Sequence, residues 1–206
     1  NSRKYGFIGP NTFIPLLEDS ALIIPLGRWI INTAAKACNR WITSIPDFVM
    51  HINLSFVQIV KSNIVKDVLE NIERYSAANN HYVFEITETI EMDQIPAVQN
   101  VFKEFVKNEF RFAIDDFGTG YSNYGYMRDR TFDIVKVDRS FVTDIDKLKD
   151  NYLMVSFIIK MAHEMGLHVC IEGVETKEEL SCVKKLGADY IQGYYYGKPV
   201  CLQDFE

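Results

Sequence analysis

Hydrophobic and polar positions alternate along this chain with two different periods. Segments whose apolar residues recur at i, i+3, i+4 and i+7 predict amphipathic helices. Between them lie short apolar runs rich in β-branched and aromatic residues, which are typical of buried strands in a parallel sheet. The predicted helices cover residues 26–41, 57–75, 95–108, 150–166 and 176–187, and the predicted strands lie within 48–55, 81–87, 110–116, 132–138, 167–173 and 189–195.

Apolar stripes predict which face of a helix is buried, and capping residues predict where a helix begins and ends. The last helix has Thr176 and Glu179 at capping-box spacing and ends at Gly187. We expect two tryptophans, Trp29 and Trp41, to pack in or near the core. The stripes expected to face the core consist of Val98, Val101, Phe102, Phe105 and Val106 in one helix, and of Met154, Val155, Ile158, Met161, Ala162 and Met165 in another.

Each predicted strand carries an unusual polar residue at or near its carboxyl end. These residues are Asn53, Glu85, Asp115 with Asp116, Lys136, Glu172 and Gln192. Repeated strand–helix units predict an α/β fold, either a doubly wound sheet or a (β/α)8 barrel. Since all strand ends of a barrel share one face, whereas an open sheet spreads them along an edge, the pattern favours a TIM-like barrel. Only six units are visible, so about two strands are expected ahead of Asn1.

Composition fits one soluble domain over residues 1–206, and the count of six strands leads us to expect that this domain is incomplete at its N-terminus. The 206 residues are 48% hydrophobic and 24% charged, as in ordinary globular proteins. A net charge of -6 argues against a nucleic-acid polymer or an anionic membrane as partner. The four cysteines do not have the spacing of a metal site, so we expect reduced thiols. No apolar run is long enough to span a membrane, and we expect a cytoplasmic location.

The neighbouring carboxylates of Asp115 and Asp116 raise the question of how their repulsion is relieved. Two adjacent carboxylates repel unless a proton or a cation lies between them. Carboxylate and amide oxygens suit Mg²⁺ or Mn²⁺ better than zinc. We therefore predict that Asn53, Glu85, Asp115 and Asp116 bind metal. Two such ions form a clamp for in-line attack at phosphorus.

The pattern also predicts roles for Lys136, Glu172 and Glu88. Lys136 is expected to neutralise a phosphate or hold a water, and Glu172 to act as a further ligand or as general base. Glu85 and Glu88 differ by three positions and so point to opposite faces of a strand, which makes Glu85 the ligand and Glu88 a support for the neighbouring loop.

Each role also has a plainer interpretation. In that interpretation Asn53 is a turn former, Gln192 a surface residue and Lys136 a structural ion-pair partner. The four histidines share no ligand spacing. Burying Glu85 or Asp115 without a partner would cost several kcal/mol, which favours a functional reading for both carboxylates.

Seven motifs together resemble those of EAL domains, the bacterial cyclic-di-GMP phosphodiesterases. The resemblance runs from about Gly6 to the end of the chain. It implies a modified TIM barrel and divalent-metal-dependent hydrolysis of cyclic di-GMP to linear pGpG. The motifs, in order, are "FIPLLEDSALIIPLGRWI", "INLS", "FEITET", "DDFGTGYSNYGYM", "IVKVDRSFV", "IEGVET" and "IQGYYYGKP".

The resemblance also implies a role for each matching residue. Lys136 would position or activate the attacking water, Gln192 would contact the ligand, and Glu88 would anchor the loop at 116–122, which borders a homodimer interface. The metal ligands would be Asn53, Glu85, Asp115 and Asp116, with Glu172 beside them as ligand or base. Attached sensory or GGDEF (diguanylate-cyclase) domains, and a membrane anchor outside a cytoplasmic part, stay open at this point.

The main departure from the family pattern is at the front of the chain. The Glu-x-Leu motif, which supplies a metal-binding glutamate, precedes the "FIP" segment in the family and is absent here. We therefore expect these residues alone to bind metal poorly and to show little activity. Two alternatives remain: a catalytically silent module that binds cyclic di-GMP or a protein partner as a sensor, and an unrelated metal-dependent barrel of the enolase type. The intact later motifs favour the enzyme.

Overall fold

The computed structural model describes residues 4, 6, 8–75, 77–87, 96–119 and 131–205. These residues form two compact units. The first contains the described residues up to Ile86 together with Pro96–Arg111, and the second contains Thr87 and the described residues from Phe112 onward.

The first unit packs helices against a parallel pair of strands. Its elements are α1 (Pro10–Asp19), α2 (Ile23–Trp41), β1 (Met50–Asn53), α3 (Phe56–Lys61), α4 (Ile64–Ile72), a 3₁₀ turn (Asn79–His81), β2 (Tyr82–Thr87, as far as Ile86 in this unit) and α5 (Pro96–Lys107). Phe84 of β2 is fully buried, with its ring centroid 5.0 Å from that of Phe105 and 5.5 Å from that of Phe110. This aromatic cluster joins β2 to α5.

The helix predicted over 57–75 is two helices in the structure. Ser62 adopts an extended backbone that ends α3, and Asn63 begins α4 by accepting a hydrogen bond at its side-chain oxygen from the backbone N–H of Lys66, at 3.3 Å. Asn at an N-cap satisfies a helix donor that has no partner within the helix. The apolar period continues across the break, which is why it reads as one helix.

Two apolar positions in the first unit do not face its core. Val106 lies at the edge of the α5 stripe and is exposed, while Val98, Phe102 and Phe105 are buried as predicted. The prediction for Trp29 is wrong as well, because its side chain is 64% exposed. It lies on the side of α2 opposite Ile31, as the helical period dictates for residues two positions apart.

The second unit is a four-stranded parallel sheet in the order β3-β4-β5-β6, and the described residues place one helix between β4 and β5 and another between β5 and β6. Its elements are β3 (Arg111–Phe117, from Phe112 in this unit), β4 (Ile134–Val137), a 3₁₀ turn (Arg139–Phe141), α6 (Lys149–Glu164), β5 (His168–Ile171), α7 (Lys177–Leu186), β6 (Tyr190–Ile191) and α8 (Leu202–Phe205). All four residues of β4 are buried, as expected for a parallel strand covered on both faces.

The ends of α7 follow the sequence prediction closely. Thr176 and Glu179 form the capping box, and Gly187 ends the helix with a left-handed φ of 91°. On α6, by contrast, Met154 is exposed, and the buried stripe runs through Val155 and Ile158.

The six predicted strands are all present, and in the described part of the chain helices separate β1 from β2, β2 from β3, β4 from β5 and β5 from β6, which confirms the α/β class. Every pairing described between neighbouring strands within a unit is parallel. Among the residues that the structure describes, no helix combines the length and the apolar character needed to cross a membrane.

Candidate active site

Three of the predicted site residues meet at the carboxyl ends of β3, β4 and β5. The parallel register pairs Ile114 with Val135 and Lys136 with Cys170. Asp115 therefore comes level with Lys136 on the neighbouring strand. Glu172 directly follows β5, and its backbone N–H donates to the carbonyl of Val137 at 3.1 Å. The strand ends thus bring Asp115, Lys136 and Glu172 together, as the sequence predicts for this part of the chain.

Lys136 bridges the two carboxylates. Its Nζ lies 2.7 Å from Oδ1 of Asp115 and 2.7 Å from Oε1 of Glu172, and the residue is only 4% exposed. Opposite charges at such distances attract strongly where little water screens them. The ammonium group therefore holds the two carboxylates in one place.

Asp115, Asp116 and Glu172 form an acidic cluster with the geometry of a cation site. One carboxylate oxygen from each residue lies within 4.8 Å of the others. Asp115 and Glu172 are half-buried, and Asp116 is exposed. Three carboxylates without sulfur or imidazole are donors for a hard divalent cation. The cluster therefore fits the kind of ion predicted from the sequence.

The backbone of β3 explains how two consecutive aspartates reach the same place. Successive residues of a regular strand point to opposite faces. Here Asp116 has a left-handed φ of 53°, and the register between β3 and β4 shifts between Ile114 and Phe117. Such an irregularity re-aims a side chain, and aspartate tolerates the left-handed region better than most residues. The turn at Asp116 thus breaks the alternation where both carboxylates are needed.

In the first unit, Asn53 at the end of β1 is the register partner of Glu85 within β2. β1 pairs with β2 so that Asn53 lies opposite Glu85. Glu85 is buried, whereas Asn53 is exposed. The Oε1 atom of Glu85 lies 2.7 Å from Nδ1 of His51. Sequence reasoning gave His51 no role, although its position two residues before Asn53 on the same strand face was a usable signal.

Gln192 lies at the end of β6 and is exposed. Its backbone N–H donates to the carbonyl of Ile171 at 2.8 Å, and its carbonyl accepts from the N–H of Val174 at 3.2 Å. These bonds fasten the residues on either side of Glu172 to β6. Gly193 is required beside them, because a Cβ there would overlap the backbone of Val174.

The prediction for Glu88 falls outside the described residues. The same holds for the loop at 116–122 from residue 120 onward. The support of that loop by Glu88 therefore stays a prediction.

The fold and the acidic cluster define an α/β protein of the TIM-barrel class with a site suited to a divalent cation. The family model for the EAL domain matches residues 1–199, and the chain belongs to that family. This confirms the resemblance seen in the motifs and the TIM-like barrel of the EAL type.

Individual relatives agree with this assignment. The chain is 32% identical over 198 residues to the cyclic di-GMP phosphodiesterase PdeL of Escherichia coli, which covers 95% of this chain and 54% of PdeL. The structure of the PaMucR phosphodiesterase in complex with c-di-GMP superposes with a TM-score of 0.92 at 28% identity, covering 100% of this chain and 83% of that chain. A manganese and cyclic di-GMP complex of Klebsiella pneumoniae BlrP1 superposes with a TM-score of 0.73 at 25% identity. The match covers 84% of this chain and 45% of the BlrP1 chain. The chain spans between 23% and 28% of the length of three other curated relatives that it matches.

Proposed function

We propose that this protein is a divalent-metal-dependent phosphodiesterase that hydrolyses cyclic di-GMP to linear pGpG. The observation that carries the proposal is the cluster of Asp115, Asp116 and Glu172, in which Lys136 bridges two of the three acids. Membership of the EAL family and relatives named as cyclic di-GMP phosphodiesterases support the same substrate.

The metal roles predicted for Asn53, Glu85, Asp115 and Asp116 are part of this proposal, with Mg²⁺ or Mn²⁺ as the ions and two ions as the number. The acidic cluster and the manganese complex of a family relative support such ions. When bound, divalent cations would supply a nucleophilic hydroxide at neutral pH and offset charge on the phosphate oxygens.

Lys136 and Glu172 provide the groups nearest to that chemistry. Lys136 holds Asp115 and Glu172 in position through its two 2.7 Å contacts, and its charge also favours an anionic phosphodiester nearby. Glu172 would serve as a further ligand or as the base that takes a proton from the attacking water, a role that its position in the acidic cluster supports. Gln192 would contact the ligand, and Glu88 would support the loop.

The wider setting belongs to the proposal too. We propose action in the cytoplasm, a homodimer formed through the region of loop 116–122, and regulation by attached sensory or GGDEF domains.

The test is a hydrolysis assay on the intact protein with Mg²⁺ or Mn²⁺. We expect conversion of cyclic di-GMP to pGpG, and we expect Asp115→Asn to abolish turnover. Asp146→Asn, the same change at an exposed position of the same unit, serves as the control and should retain full activity. Tight binding of cyclic di-GMP by calorimetry without any product would contradict the enzyme and support the sensor alternative.

A further inference from the structure

His51 makes a short contact with the buried carboxylate of Glu85. The distance from His51 Nδ1 to Glu85 Oε1 is 2.7 Å, and the side chains are 37% and 6% exposed, respectively. A carboxylate that is ionised, as a metal ligand is, only accepts hydrogen bonds, so with Glu85 in that form Nδ1 of the imidazole is the donor. The partly exposed histidine thus holds an acid that is itself almost removed from water.

The strand register explains why these two side chains meet. Asn53 pairs with Glu85 and His51 with Val83. Because side chains alternate along a strand, His51, Asn53 and Glu85 project from one face of the β1–β2 pair. His51 reaches Glu85 along the diagonal, a distance that long side chains cover.

Glu85 is held at a second point as well. Its backbone carbonyl accepts a hydrogen bond from the N–H of Leu54 at 2.9 Å, just beyond the end of β1. The backbone hydrogen bond fixes the main chain at Glu85, and the contact with the imidazole fixes the orientation of the carboxylate. Both restraints come from the segment 51–54.

We propose that His51 is a positioning residue that orients Glu85 for metal binding. This inference rests on the proposed function, in which Glu85 is a metal ligand. Hydrogen bonds to a ligating carboxylate fix its orientation, and loss of such a partner typically weakens metal affinity about 10- to 100-fold. His51 acts through Glu85 and not on the substrate.

Three variants separate this role from a general contribution to stability. His51→Leu removes the donor. His51→Asn restores it, because the side-chain nitrogen of asparagine is bonded to Cγ, as Nδ1 of histidine is. His81→Leu is the matched control, since His81 Nδ1 makes a contact of the same length, 2.7 Å, with the backbone carbonyl of Phe48 just before β2 and not with a predicted ligand.

The measurement is Mn²⁺ binding to the intact protein without substrate, followed by the electron paramagnetic resonance signal of free Mn²⁺. Hydrolysis of cyclic di-GMP is then titrated with Mn²⁺. We expect the Kd for Mn²⁺ to rise about 10- to 100-fold in His51→Leu, to stay within a few-fold of wild type in His51→Asn, and not to change in His81→Leu.

Two results would overturn the inference in different ways. If the wild type binds Mn²⁺ and hydrolyses cyclic di-GMP but His51→Leu keeps its Mn²⁺ affinity, or if Leu and Asn at position 51 weaken it equally, His51 does not position Glu85 and the proposed function stands. If the wild type neither binds Mn²⁺ nor turns over substrate, the proposed function fails and this inference falls with it.

Discussion

Lys136 and Glu172 form a 2.7 Å ion pair between β4 and the residue that follows β5. The same ammonium group lies 2.7 Å from Asp115, so one buried cation lies between two carboxylates that would otherwise repel. The protein therefore supplies part of the positive charge of the site from its own side chains. Bound cations would add to that charge.

Lys136→Met should lower both activity and stability. We expect turnover of cyclic di-GMP to fall about 10²- to 10⁴-fold, the range typical of losing a group that positions or transfers a proton. Removing one partner of a buried ion pair costs about 3–5 kcal/mol of the free energy of unfolding. Because Mn²⁺ would replace part of the lost charge, the stability deficit should shrink when the metal is added. Urea unfolding with and without Mn²⁺ checks this.

Lys147→Met is the control for that experiment. Lys147 contacts Asp144 at 2.6 Å on the surface, where both side chains are largely exposed, so its loss should leave turnover and unfolding unchanged. Equal behaviour of the two lysine variants would show that the bridge at Lys136 is not needed.

Asp116 carries a charge and has a left-handed backbone conformation. Two substitutions distinguish the contribution of the charge from that of the conformation. Asp116→Asn removes the charge but keeps a side chain that tolerates a φ of 53°. It should lose activity with little change in melting temperature. Asp116→Ala should lose activity and in addition about 1–2 kcal/mol of stability. Activity close to wild type in Asp116→Asn would remove Asp116 from the metal ligands.

Much of the fold was predictable because its signals are local. The six strands and the capping box at Thr176 and Glu179 follow from runs and spacings of a few residues, and the structure contains them. The errors arose at positions where the helical period does not determine whether an apolar side chain is buried. Trp29 and Val106 fit an apolar pattern but are exposed, because neighbouring elements decide what covers each helix face.

The residue types of the candidate site were predictable from the sequence, but the backbone conformation that brings them together was not. Strict strand parity separates Glu85 from Glu88, yet the same parity would separate Asp115 from Asp116. The structure resolves this by a left-handed residue and a register shift, neither of which has a sequence signature in an aspartate pair. His51 and Glu85 are 34 positions apart in the chain, and their contact depends on the register between β1 and β2. Periodicity alone does not reveal that register.

Gly193→Ala should damage the site through the backbone. A Cβ at position 193 would overlap the carbonyl oxygen of Val174, so the segment after Glu172 has to move. Overpacking of this kind typically costs about 1–3 kcal/mol. We expect lower stability in urea and a loss of turnover. Gly197→Ala, where nothing lies within 4 Å of the added Cβ, is the matched control and should behave as wild type.

Glu179 should make the stability of the protein depend on pH. Burial acts to raise the pKa of Glu179, but backbone N–H donors outweigh it and lower the pKa below its ordinary value of 4.5. The donors are Glu175 at 2.9 Å, Thr176 at 3.0 Å and Asp144 at 3.2 Å. A carboxylate whose pKa is lower in the folded state contributes stability that is complete above its unfolded pKa. That contribution is lost as the pH falls through the folded value.

Glu179→Gln tests this contribution. At pH 7 we expect the variant to be about 1–3 kcal/mol less stable, because an amide cannot accept from the same three donors at both of its side-chain positions. The difference from wild type should shrink as the pH falls below 4.5, since the protonated glutamate then loses the same advantage. Urea unfolding at a series of pH values measures it, with Glu178→Gln, an exposed change in the same helix turn, as control. A difference that stays constant across the series would mean that Glu179 stabilises α7 by packing and not by its charge.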